Sequence, residues 1–179
     1  MKSDNVKRYL ESFGKQVVNR AKGGLQKAKG GNTSLESSLK FEIVTNAKGF
    51  VVQFYMNNYG QFLDKGVSGT KQKQNFKDYK GSVRLSPFKY TNKQPPRGII
   101  DKWIVKKGIA PRDKDGKFMK RKSLSFLIAR SIKRKGIKSL SFFQKPLGLG
   151  LKQYGKDLLN AVKEDILNTL NKETITQVN

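Results

Sequence analysis

Apolar residues recur at steps of four, three, four and four from Val6 through Leu10, Phe13, Val17 and Ala21, which places them on one face of an α-helix. The spacing predicts a first helix over residues 4–22. Asp4 is its expected N-cap and Gly23-Gly24 its stop, because glycine accepts the left-handed backbone that a helix end often needs. Residues 25–29 then read as loop ahead of a second pair, Gly30-Gly31. From 39 to 56 the period drops to two, with Phe41, Ile43 and Thr45, then Phe50, Val52, Phe54 and Met56, around Asn46-Ala47-Lys48-Gly49. Alternation about a glycine-containing turn predicts a β-hairpin. The odd positions of its first run and the even positions of its second share the buried face.

Past the hairpin the pattern is less regular. Residues 59–66 read as a helical turn that tucks Phe62 and Leu63 under the hairpin, and 67–96 as loop with one short strand near 83–85. A loop of that length usually marks a functional arm. Pro95-Pro96 leads into a short helix over 99–107, with Ile100, Trp103 and Ile104 as its apolar face and Gly108 as its stop. Residues 112–122 read as turn and loop. A helix from Ser123 carries the stripe Leu124, Leu127, Ile128 and Ile132, leaves Arg130, Lys133, Arg134 and Lys135 off it, and closes at Gly136. Phe142-Phe143 ahead of Pro146 reads as an anchor, and Gly148-Leu149-Gly150 as a flexible link. The last predicted helix spans 151–172, with Leu151, Tyr154, Leu158, Val162, Ile166 and Leu170 on its stripe, and 174–179 are expected to be disordered.

The expected class is therefore α+β: an N-terminal helix, an antiparallel hairpin or small sheet, an inserted basic helical arm, and a long C-terminal helix packed on the sheet. The expected divisions are 1–70 for the first part of the core and 71–137 for the arm. Residues 138–173 complete the core and 174–179 form the tail.

Charge changes this picture most. In 179 residues there are 38 Lys and Arg against 13 Asp and Glu, a net +25, which points to a polyanion nearby. Residues 71–145 hold twenty-three of those bases and four of the acids, a net +19, so the excess belongs mainly to the arm. The chain has neither Cys nor His, which excludes disulfides, thiolate chemistry and imidazole ligands. The N-terminal residues do not read as a signal peptide, and no apolar run approaches a membrane span, so the chain is expected to act where it is made or inside an assembly.

Without His or Cys, general acid–base and nucleophilic chemistry would fall to carboxylates, Ser, Lys and Tyr, and the acids show no convincing pair. A Mg²⁺-dependent nuclease would need Asp78, Asp101, Asp113 and Asp115, the acids of the basic segment, to converge. Asp113-Lys114-Asp115-Gly116 starts like a calcium loop but has Leu124 where the closing Glu should stand, and reads as a polar turn. No catalytic residue, cofactor or metal site is expected. The bases of the arm interleave with Phe76, Tyr79, Phe88, Tyr90, Phe118 and Phe126, which suits contact with a phosphate backbone or an acidic protein. Arg121, Lys122, Arg130, Lys133, Arg134 and Lys135 are the candidate contacts. Trp103, Phe142, Phe143, Pro146, Tyr59 and Phe62 are the candidate packing residues, with Trp103 assigned to a core or to an inter-subunit contact.

Taken in order, three segments resemble motifs of the bacteriophage tail-completion, or head–tail joining, family of the lambdoid type. Asn32-Thr33-Ser34-Leu35-Glu36-Ser37-Ser38-Leu39 is similar to that family's Thr-Gly-x-Leu-x-x-Ser-Leu approach to a hairpin, with Ser34 in place of Gly. Tyr59-Gly60-Gln61-Phe62-Leu63-Asp64-Lys65-Gly66 resembles its Tyr-Ala-x-Tyr-x-Glu-x-Gly-Thr turn, with Asp64 for Glu and the Gly-Thr displaced to Gly69-Thr70. Phe142-Phe143-Gln144-Lys145-Pro146-Leu147 resembles its aromatic pair and proline ahead of a last helix. The insertion over 71–136 departs from the compact lambdoid form and resembles the version found in crAss-like phages. The resemblance implies a structural virion protein, present in the host cytoplasm during assembly. It would form a homo-oligomeric ring of about six or twelve copies at the neck or tail top, against neck, portal or tail neighbours, with DNA passing through and no membrane. Two other classes stay open on the residues: a stand-alone basic nucleic-acid-binding protein and a divalent-metal nuclease.

Overall fold

A computed structural model describes residues 4–29, 33–46 and 49–176. It has the α+β composition expected, and its residues separate into two compact units. Unit 1 comprises residues 1–60, 77–82 and 142–179, and unit 2 comprises 61–76 and 83–141.

In unit 1, helix α1 (Asp4–Lys29) runs a further two turns beyond the predicted stop. Gly23-Gly24 does not end it, because Leu25 lies four residues after Ala21, continues the apolar stripe, and is fully buried. Helix α2 (Ser34–Ser38) is a single turn capped by Thr33, whose Oγ1 accepts the Glu36 N–H at 3.3 Å, and it buries Leu35. Strands β1 (Lys40–Asn46) and β2 (Gly49–Tyr55) form the hairpin, in the register Phe41↔Phe54, Ile43↔Val52 and Thr45↔Phe50. Phe41, Ile43, Phe50, Val52 and Phe54 are half-buried in the alternation a period of two requires, whereas Thr45, expected on the same face, is exposed at the turn end of the hairpin. The turn residues 47 and 48 lie outside the described set.

Helix α6 (Gln144–Thr176) starts seven residues before the predicted point and runs through the expected glycine link. Pro146 is tolerated because it sits in the first turn, where a missing N–H costs nothing. Gly148 and Gly150 are contact points: a Cβ on Gly148 would meet the Tyr79 carbonyl oxygen at 2.1 Å, and one on Gly150 would meet the Phe13 ring at 2.9 Å. The buried side of α6 carries Gly150, Ala161 and Asp165, with Tyr154, Leu158 and Val162 half-buried, while Leu151 and Ile166 from the predicted stripe are exposed. The Leu170 side chain lies outside the described residues. So do residues 177–179, whereas 174–176 continue the helix instead of fraying into a tail.

Helix α6 packs along α1, and α1 packs against the hairpin. Phe13 bridges the layers, edge-on to Phe54 at 6.3 Å and to Tyr154 at 5.8 Å. Phe143 closes on Phe54 at 5.3 Å, and Phe142 is buried beside Gly24. The expected packing of the C-terminal helix on the sheet is thus made largely through α1.

Unit 2 contains most of α3 (Gly60–Lys65), then β3 (Val67–Ser68), β5 (Val83–Leu85), α4 (Arg97–Lys106), α5 (Arg121–Lys135) and β6 (Gly136–Ile137). Strand β4 (Asn75–Lys77) pairs with β5, and β3 pairs antiparallel with β6, so the stretch expected to be loop with one strand near 83–85 holds that strand, β5, and two more. Phe62, expected under the hairpin, is partly exposed and pairs edge-on with Phe88 at 4.6 Å. Ile100 and Ile104 of α4 and Ala129 of α5 form a small core, flanked by Leu124, Ile128 and Ile132. The buried side of α5 is completed by Ser125, and Leu127, predicted on the stripe, faces solvent. Trp103 is 46% exposed, so of the two placements expected from the sequence, a core or an inter-subunit contact, it does not take the first within this unit, where Ile100 and Ile104 hold the buried face of α4.

Candidate polyanion interface

The C-terminal end of α5 is held by the loop before β4. A helix leaves its last carbonyls without intrahelical donors. Here the Thr70 N–H donates to the Lys133 carbonyl at 2.9 Å, the N–H groups of Lys71 and Gln72 donate to that of Arg134, and Gln74 Nε2 donates to that of Lys135 at 2.7 Å. Gly69 and Gly136 make this possible: a Cβ on Gly69 would sit 2.2 Å from the Arg134 carbonyl oxygen, and Gly136 turns the chain at φ +81°. The cationic side chains of Lys133, Arg134 and Lys135 add a favourable charge at that end of the helix dipole.

This capture places Lys71 beside the solvent face of α5. Together they frame an open groove of about 710 Å³ lined by Lys71, Gln72, Leu127, Arg130, Ser131, Arg134 and Lys135. The spacing explains the grouping, since residues 127, 130, 131 and 134 recur at three and four and share one helix face. The opposite face is buried on α4. Four cations and no acid line the groove, and among the described residues none of their side chains has a hydrogen-bond or ion-pair partner.

The predicted contact residues do not all converge there. Arg130, Arg134 and Lys135 do. Lys133 points elsewhere, its Nζ donating to the Asn92 carbonyl at 2.7 Å. Arg121 donates through Nε to Asp101 at 2.8 Å, tying α5 to α4, and Lys122 lines a smaller hollow with Arg97, Gly98, Asp101 and Ser125. The member that sequence reasoning missed is Lys71. Its neighbours in the chain give no signal, because only the backbone capture of α5 brings it into place.

The packing candidates also separate. Phe142, Phe143 and Pro146 are buried in unit 1, where Tyr59 remains partly exposed and shares a 2.8 Å hydrogen bond with the Ser34 hydroxyl. Phe62 and Trp103 lie partly exposed in unit 2.

Asp78 and Asp113, two acids of the basic segment, are used locally. Asp78 Oδ1 accepts the N–H groups of Lys80 and Ser82, closing a turn, and Asp113 Oδ1 does the same for Asp115 and Lys117. The segment resembling a calcium loop is therefore a polar turn satisfied by its own backbone. Among the described residues, no three acidic side chains come together as a metal site. Nor is any described helix long and apolar enough to cross a membrane.

Comparison with protein-family models, with curated proteins and with solved structures gives no match. The site's chemistry is thus read from its own residues: a one-sign, donor-rich groove on a helix whose back is anchored, suited to holding an extended anion in place.

Proposed function

We propose that this chain is a structural subunit of a bacteriophage neck or tail-completion ring, joining head to tail by packing and not by catalysis. The observation that carries the reading is the width of the apolar arc of α6. One side of that arc is covered by α1, yet Leu151, Leu159 and Ile166 lie beyond the covered edge, with Leu159 71% exposed. Apolar surface left in water forfeits about 25 cal/mol per Å², so such an edge on a long helix fits a partner surface.

A closed ring needs two different patches on each subunit. The α6 edge is one. The outer face of α4, where Ile99 and Trp103 stand one turn apart and exposed, is the other. The order of the elements supports the same reading. The three segments that resemble the tail-completion family fall at the approach to the hairpin, at α3 and at the buried anchor of α6.

Negative-stain microscopy and sedimentation of the purified chain test the reading. The expected result is a ring, lost when Leu159→Lys and Ile166→Lys are combined. A chain that stays monomeric up to millimolar concentration, and is absent from mature particles of the phage that encodes it, would overturn the proposal.

A further inference from the structure

Unit 2 carries 21 of the 38 bases and four of the 13 acids, a net +17 on 75 residues. Diffuse charge of that size attracts any polyanion, and the groove beside α5 gives it a defined place. We infer that this groove is a binding site for the sugar–phosphate backbone of nucleic acid, with Arg130 and Arg134 as the principal contacts and Lys71 and Lys135 at its edges.

Three observations favour nucleic acid over an acidic protein. The lining has no aromatic residue and one apolar residue, Leu127, whereas the buried centre of a protein interface is enriched in aromatics and depleted in lysine. Every polar side chain in it, the four cations together with Gln72 and Ser131, can donate a hydrogen bond. Donors of this mixed cationic and neutral kind are what phosphate and sugar contacts draw on. Finally, Arg130 and Arg134 stand one turn apart on the same helix face, about 6 Å of rise, so their long side chains can reach neighbouring phosphates of one strand. Guanidinium forks at that spacing can each hold a phosphate by two parallel hydrogen bonds.

Nothing reads a base. Leu127 offers no hydrogen-bonding pattern and the groove is open, so binding is expected to be indifferent to sequence. The site does not depend on ring formation, because all of its residues belong to one unit of one chain.

The test is fluorescence anisotropy of the full chain with labelled duplex of about two helical turns (roughly 20 base pairs), with a single strand of the same length, and with polyglutamate. Groove variant Arg130→Glu/Arg134→Glu is compared with Lys114→Glu/Lys117→Glu, which makes the same change of charge on the exposed turn of the same unit. The wild type should bind duplex with a log–log salt slope of about −3.6, for four neutralised phosphates. The groove pair should weaken binding at least about tenfold and flatten the slope by about 1.8, while the turn pair changes it less than about threefold. If Arg130→Glu/Arg134→Glu disturbs folding, as judged by circular dichroism, Arg130→Gln/Arg134→Gln should show the same order with a smaller loss. Tighter binding of the single strand than of the duplex keeps the site and identifies its ligand as unpaired nucleic acid. Equal losses from the two pairs, no duplex binding at low salt, or tighter binding of polyglutamate than of either nucleic acid overturns the inference.

Discussion

The carboxylate of Asp165 on α6 accepts the backbone N–H of Val6 on α1 at 3.0 Å, across 159 positions of sequence. Its second oxygen accepts the Asn5 N–H at 3.3 Å. The two free donors at the start of α1 are thus capped from another helix, at a point where Asp165 is buried, and the negative charge sits at the positive end of the α1 dipole.

Replacing Asp165 with Ala should leave both donors without that partner in a buried place. Hydrogen bonds to charged groups contribute about 1.5–3 kcal/mol, and a loss of that size is expected in denaturant unfolding of unit 1. Asp165→Asn, which keeps an acceptor without the charge, should lose less. An Asp165→Ala protein as stable as the wild type would show that the cap has no energetic role.

Four glycines inside helices separate two roles. At Gly14 and Gly148 an added Cβ would meet the Phe41 ring at 2.3 Å and the Tyr79 carbonyl oxygen at 2.1 Å. Gly23 and Gly155 face open space, with nothing within 4 Å of the same atom. Gly148→Ala should therefore destabilise by about 1–3 kcal/mol, as overpacking does. Gly23→Ala and Gly155→Ala should stabilise by about 0.5–1 kcal/mol each, by removing glycine's extra unfolded freedom from a helix interior. Thermal melts of the three single variants check the opposite signs.

These glycines also show where sequence reading stops. The hairpin was legible because its period of two is local, and Phe41 opposite Phe54 needs no distant partner to be foreseen. The ends of α1 and α6 were misread because Gly23-Gly24 and Gly148-Leu149-Gly150 resemble breaks. Whether a glycine ends a helix or admits a neighbour depends on what lies across from it, here Phe142 and Tyr79. The groove was half legible for a similar reason. Arg130, Arg134 and Lys135 follow from the spacing on α5, while Lys71 enters through hydrogen bonds to the Arg134 carbonyl that side-chain patterns do not encode.

Trp103, the single tryptophan, reports on the outer face of α4. At 46% exposure its emission should lie toward the solvent-exposed end of the range and be quenched readily by acrylamide in the monomer. If the α4 face is a subunit contact, assembly should shift the emission to the blue and protect it from quenching, in step with the rise in mass. Rings that form with Trp103 still fully quenchable would place the contact on another face.

Tyr9 gives the chain a pH dependence at its alkaline end. Its phenol is pushed up from 10.0 to about 12, first by burial and then by the nearby charges of Asp157 and Tyr154, and its hydroxyl donates to the Tyr154 carbonyl. Burial disfavours the phenolate, so the folded chain holds the proton more tightly than the unfolded chain. Below pH 10 both states keep it and the contribution to stability is complete. Between pH 10 and 12 unfolding releases the proton, and stability falls as pH rises through that window. The comparison is with Tyr9→Phe, which removes the phenol and leaves every other group in place. Denaturant unfolding across the window should show a steeper loss for the wild type than for Tyr9→Phe, and phenolate absorbance should show one tyrosine ionising near 12 that the variant lacks. Parallel stability curves would mean that Tyr9 ionises alike in both states.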